Sequence, residues 1–183
     1  MENKYIKNLA FAVIEKSVAN NWEEAVLEWE LFDCEEDETA SSYCICGKEN
    51  IKYLHTIKNR YNGNLLFPIG SSCIRKFGRK DLDNEVKLKE DLFKLLHHIQ
   101  KRDFIVLSSE FFTRRLIDYL YDVGSFDNDY NGYEGYDDYC FFRKMFNKRN
   151  KDEISYNQQK KINAIIINSI YPYLQKTILE KIR

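Results

Sequence analysis

A chain of 183 residues, 44% hydrophobic and 15% aromatic, is long enough to bury a core and too apolar to stay disordered. No window approaches the roughly 20 apolar residues of a membrane span, and the opening MENKYIKNLAFAVIEKS lacks the apolar core and cleavage site of a secretory signal, so a cytoplasmic protein is expected. The net charge of −1 hides an asymmetry. Residues 1–42 carry 11 acids against 3 bases, residues 43–80 carry 8 bases against one acid, and the remainder holds 17 of each.

Taken in order, Lys4 to Val18 places apolar residues at helical spacing, and Asn20-Asn21 ends that helix. Trp22, Ala25, Val26 and Trp29 repeat the spacing over Trp22 to Trp29, with Asn21 as N-cap and Glu24 three residues on. Both tryptophans read as core. Glu30 to Cys34 reads as a strand. Glu35 to Ser42 is an acidic, small-residue loop whose adjacent charges are poorly suited to burial.

The segment Tyr43 to Phe77, YCICGKENIKYLHTIKNRYNGNLLFPIGSSCIRKF, carries the densest chemistry. In a reducing compartment five cysteines point to metal binding rather than to a disulfide framework. Zinc takes four soft or borderline ligands in a tetrahedron, and a C-x-C pair followed by Gly47 offers two thiolates from one tight turn. Cys44, Cys46 and Cys73 are three candidate Zn2+ ligands, with Cys34 as the fourth and His55 as the alternate. Tyr53 to Ile57 and Leu65 to Ile69 read as paired strands around an Asn62-Gly63 turn. Pro68 implies that the second is an edge strand or ends there. Ser71 or Ser72 then caps a short helix carrying Cys73 in its first turn. Knuckle, hairpin and helix in that order form a treble-clef-like module.

Asp83 to Lys101 is a strongly amphipathic helix ending in His97 and His98, whose place near a helix C-terminus suits positive charge better than chelation. Phe104 to Leu107 reads as a short strand or buried link, and Ser108 or Ser109 as the cap of a helix from Glu110 to Val123, closed by Gly124. Asp127, Asp129, Asn131 and Gly132 match the opening of a calcium loop, but its twelfth position is Asp138 rather than glutamate and its eighth is Glu134 rather than an aliphatic, so an ordinary Asx-rich turn is the preferred reading. Tyr130, Tyr133, Tyr136 and Tyr139 recur every third residue. Cys140 reads as a buried small hydrophobe on the helix from Tyr136 to Asn147. Ser155 and Gln158 form a capping box for a long helix to Ile182 that Pro172 should kink or break near Ser169.

These elements define an α+β protein: a zinc-stabilised β-hairpin module with N-terminal helices over residues 1–80, and a mainly α-helical domain over 81–183. The sequence contains no P-loop, dinucleotide fingerprint, nucleophile elbow or H-E-x-x-H motif. His55, near Lys52 and Lys58, is a conceivable acid-base group toward an RNA phosphodiester, yet no second acid or base accompanies it. Nucleic-acid binding suits the residues better. Lys52, Lys58 and Arg60 from the hairpin, with Arg75, Lys76, Arg79 and Lys80 from the following segment, can track phosphates, while Tyr53 and Tyr61 can stack on bases.

The runs WELFDCEED and CICGKENIKYLHTIKNRYNGNLLFPIGSSCIRKF resemble a zinc-binding unit found in small proteins of phages and mobile elements of Gram-positive bacteria. In length and in the opening KNLAFAVIEKSVANNWEEAVLEWE, the chain is similar to a streptococcal type II-A anti-CRISPR family. Members of that family inhibit the RNA-guided effector nuclease and are associated with truncation of its guide RNA. The resemblance implies a partner, the type II CRISPR effector nuclease with its guide RNA, and carries over no catalytic residue. The alternative is a zinc-stabilised nucleic-acid-binding accessory protein of a mobile element.

Overall fold

The computed structural model describes residues 4–101 and 107–183, and shows an α+β protein. It divides into two compact units, Met1–Glu90 with Lys181–Arg183, and Asp91–Glu180.

In the first unit, α1 (Lys4–Lys16) and the short α2 (Trp22–Ala25) precede a three-stranded antiparallel sheet. The strands are β1 (Trp29–Glu36), β2 (Tyr53–Asn59) and β3 (Leu65–Ile69), with β2 in the centre. Asn21 caps α2 as its spacing predicts, its side chain accepting from the Glu24 N–H. The helical pattern from Trp22 to Trp29 stops sooner than expected. Val26–Glu28 tightens into a 3-10 turn and Trp29 already begins β1, because pairing with β2 outweighs local helix preference.

One residue decides which β1 side chains face inward. Trp29 pairs with Asn59 and Leu31 with Ile57, but beyond Phe32 the register advances by one, so that Cys34 stands opposite His55 and Glu36 opposite Tyr53. Phe32 is the extra residue of a β-bulge and is left 60% exposed. Side chains alternate with a period of two, so this single insertion moves Cys34 and Glu36 to the interior. A second shift, across Phe67-Pro68, accommodates a residue with no N–H to donate and leaves β3 on the edge as expected. The Asn-Gly hairpin loop is longer than a two-residue turn: the Asn59 N–H bonds the Asn64 carbonyl, and only Gly63 takes positive φ.

After β3 come α3 (Ser71–Ile74), a 3-10 turn, and α4 (Lys80–Gln100). Leu9, Val13, Trp29, Ile57, Ile69, Ile74, Leu82 and Val86 share one buried cluster with the thiols of Cys44, Cys46 and Cys73. Leu82 and Val86 belong to that cluster, so the first unit extends into α4 rather than ending at residue 80. The chain end also belongs to this unit. Ile182 bridges to Glu36, the Arg183 N–H bonds the Glu36 carbonyl at 2.8 Å, and Lys181 and Arg183 pair with Asp33 and Glu35.

The acidic run after β1 is more ordered than a solvated loop. Glu36 and Asp37 are both buried, and the Asp37 carboxylate accepts from the backbone N–H groups of Thr39, Ser41 and Ser42 and from the hydroxyls of Thr39 and Ser42. These donors, the Ser42 and Thr39 hydroxyls first, hold its carboxyl far below the usual range against the cost of burial.

The second unit contains α5 (Arg114–Asp122), α6 (Tyr136–Asn147), α7 (Tyr156–Ile165) and α8 (Tyr171–Thr177). Thr113, not a serine, caps α5, its hydroxyl accepting from the Leu116 N–H. The capping box of Ser155 and Gln158 is formed. Five residues of π-helix, Ile166–Ile170, join α7 to α8 just before Pro172. Proline removes a helix donor and crowds the preceding turn, and the wider π-turn accommodates both effects without breaking the run. Ile162, Ile165, Ile166, Ile170, Leu174 and Ile178 are buried. Cys140 is exposed, contrary to expectation. The stretch expected as a strand or link at Phe104 lies outside the described residues except for Leu107, which is buried. No helix among the described residues is long and apolar enough to cross a membrane.

Candidate metal centre

Three segments bring three thiols together. The Cys44–Gly47 knuckle closes through the Gly47 N–H to the Cys44 carbonyl at 2.7 Å, and Gly47 holds a φ of 88° that a side chain would strain. The Asn8 amide donates to the Cys46 carbonyl at 3.0 Å, and the Ile45 N–H to the Pro68 carbonyl at 2.9 Å. These contacts fasten the knuckle to α1 and to the edge strand. β3 then delivers Gly70, the N-cap of α3 in place of the expected Ser71 or Ser72, and α3 presents Cys73.

The Cys44 and Cys73 sulfurs are 3.7 Å apart and those of Cys73 and Cys46 3.4 Å, and all three lie within 4.8 Å of one another. Ligands about 2.3 Å from a tetrahedral metal stand about 3.8 Å from each other, so the two shorter separations are close to the spacing of thiolates that share one ion. All three cysteines are buried.

Electrostatics favour a thiolate at Cys44. A hydrogen bond from the Cys73 thiol pulls the Cys44 thiol below its ordinary value against burial, and the Gly70 N–H, 3.3 Å from the sulfur, adds to that pull. The same proton sharing pushes Cys73 up, and burial pushes Cys46 up. A divalent cation could take the place of the shared protons, so the cluster could hold a metal ion.

Cys34 and His55, named above as fourth ligand and alternate, do not join this group. They are held in the sheet opposite each other, with the His55 Nδ1 3.2 Å from the Ile69 carbonyl and its Nε2 4.0 Å from Glu90. Burial pushes the Cys34 thiol up, reinforced by the negative charges of Glu90 and Asp33. His55 is fully buried, and burial lowers its pKa to about 4. A side chain buried in this way is not placed to act on a polymer phosphodiester.

The basic residues divide into two sets. Arg79 donates to the carbonyls of Trp29 at 2.5 Å and Val26 at 3.3 Å and pairs with Asp81, so it clamps the start of β1. Lys52 pairs with Glu36 at 2.8 Å, Arg60 with Glu30 at 3.4 Å, and Lys58 lies over the Phe32 ring. Arg75, Lys76 and Lys80 are exposed just beyond Cys73, and Tyr61 stands 69% exposed at the hairpin tip.

In the second unit the calcium-like loop is occupied by its own contacts. Asp127 accepts from the Gly135 N–H, Asp129 from the Tyr133 hydroxyl, and Asp138 from the Asn131 amide while pairing with Lys161. The Asx-rich turn is what the chain forms there. Of the four tyrosines, Tyr130, Tyr133 and Tyr136 are exposed, whereas Tyr139 stacks on Tyr121 at 4.3 Å.

Neither the family models, nor the curated proteins, nor the solved structures compared with this chain match it.

Proposed function

We propose that this protein is a zinc-organised inhibitor of a type II CRISPR RNA-guided effector nuclease, acting in the bacterial cytoplasm by binding the effector together with its guide RNA. The convergence of Cys44, Cys46 and Cys73 carries the zinc assignment: soft thiolates at zinc spacing suit zinc better than a hard oxygen-seeking cation. The metal locks the knuckle to the turn that bears Arg75 and Lys76, so the exposed cations sit on a braced segment suited to tracking phosphates. The choice of partner is supported by the sequence resemblance to the streptococcal anti-CRISPR family and by the contrast between acidic and basic regions.

Incubating purified protein with guide RNA, with and without the effector nuclease, tests this reading. Inhibition of target cleavage, with guide shortening only when effector is present, is the expected outcome. RNA binding without any effect on the effector would instead favour the accessory nucleic-acid-binding role.

A further inference from the structure

The three thiols supply three of the four ligands that a tetrahedral metal takes. Among the described residues no fourth cysteine, histidine or carboxylate joins the group. What adjoins it is a cavity of about 220 Å³, lined by Cys44 and Cys73 together with Lys48, Lys52, Ser71 and Ser72. That space is several times the roughly 30 Å³ share of one water molecule, so it admits a small polyatomic ligand.

Its lining has a definite chemistry. Lys48 and the hydroxyl residues Ser71 and Ser72 bring donor groups to the lining, Lys52 adds a second cation that is also paired with Glu36 at 2.8 Å, and the lining contains no acidic side chain. Charge points the same way. A divalent zinc with three thiolates has a net charge of −1, and an added anion makes the centre more negative, which Lys48 and Lys52 are placed to offset although Lys52 also serves Glu36.

We propose that the metal takes only three ligands from this chain and that its fourth coordination position opens into the Lys48–Ser72 cavity, where it accepts an exchangeable phosphate group. This deepens the zinc and RNA reading above and rests on it. The phosphate can be free or part of a nucleic-acid backbone.

Cobalt(II) substituted for zinc reports both levels separately. Uptake of one equivalent per chain, with charge-transfer intensity of three thiolates, is expected; failure of uptake would remove the metal reading itself rather than this extension. With cobalt bound, inorganic phosphate is expected to shift the ligand-field bands saturably and to show paramagnetic broadening in its phosphorus NMR line. Lys48→Gln should weaken that response roughly tenfold, the worth of one charge-assisted hydrogen bond, while leaving cobalt uptake unchanged. A parallel titration with short oligouridylate lacking terminal phosphates identifies the source: a band shift there assigns the site to a backbone phosphate, and a response to inorganic phosphate alone assigns it to the free ion. Full cobalt uptake with bands indifferent to both probes, or with the intensity of four thiolates, would overturn the proposal.

Discussion

Cys34 stands directly opposite His55 in the β1–β2 ladder, both side chains buried, and this pairing keeps both residues out of the thiol group formed by Cys44, Cys46 and Cys73. The two kinds of buried cysteine should therefore respond differently to substitution. Cys34→Ala removes a buried sulfur and is expected to cost about 1 kcal/mol while leaving metal content at one equivalent. Cys73→Ser removes one thiol of the proposed zinc centre, and because metal-binding energy is folding energy it should abolish stoichiometric zinc and lower the melting temperature further than Cys34→Ala does. Metal analysis alongside thermal unfolding of both variants decides the matter; parallel loss of zinc in Cys34→Ala would restore Cys34 to the centre.

His55 makes the first unit sensitive to mild acid. Burial lowers its pKa from 6.5 to about 4, so between these values the unfolded chain binds a proton that the native state refuses. Stability contributed by neutral His55 is complete above about pH 6.5 and declines as pH falls toward 4, by about 3 kcal/mol at most. His55→Gln cannot titrate. Denaturant unfolding of the two zinc-loaded proteins should show a difference in stability that shrinks on acidification across this window; parallel curves would refute it.

The sequence made the hairpin, the knuckle and the helix caps legible because each is specified by neighbouring residues: Gly47 for the turn, Asn21 and Ser155 for their caps. The sheet register was not legible. The bulge at Phe32 is set by what β2 offers, and nothing in WELFDCEED distinguishes a bulged Phe32 from a regular one. The same limit explains the misplaced fourth ligand, since the bulge turns Cys34 toward His55. The burial of Glu36 and Asp37 depends on the returning chain end and on the donors of Thr39, Ser41 and Ser42, partners that a count of local charge does not reveal.

Glu28 illustrates a buried charge that the sequence presents as one more acid in an acidic arm. Its carboxylate accepts from the Val18 and Ala19 N–H groups at 2.7 Å each and from the Asn59 amide at 2.5 Å, joining the end of α1 to β2. Burial alone would raise its pKa, but these donors, Asn59 foremost, hold it below the ordinary value. Glu28→Gln sets an NH2 group against donors and should cost about 2–4 kcal/mol. Unfolding measurements at neutral pH check this, and a loss below about 1 kcal/mol would show that the loop rearranges around the amide. The lowered pKa also adds stability above the unfolded value of 4.5 that is lost as pH falls below it, a range more acidic than most of the His55 window.

Arg79 and its neighbours Arg75 and Lys76 look alike in the sequence and differ in the fold. The Arg79 guanidinium is committed to the Trp29 and Val26 carbonyls and to Asp81, whereas Arg75 and Lys76 project from an exposed turn. Arg79→Ala should therefore lower stability by about 1–3 kcal/mol, because the two carbonyls lose their donor. Arg75→Glu with Lys76→Glu should leave stability within about 0.5 kcal/mol and weaken binding to RNA. Each lost phosphate contact releases fewer counterions, so the dependence of log affinity on log salt should become shallower by nearly one unit per contact, about 0.7 for a single strand. Filter binding at several salt concentrations, paired with melting curves, separates the two classes. Unchanged affinity and salt slope in the double variant would remove this turn from the proposed RNA surface and leave the hairpin cations Lys58 and Arg60 as its remaining candidates.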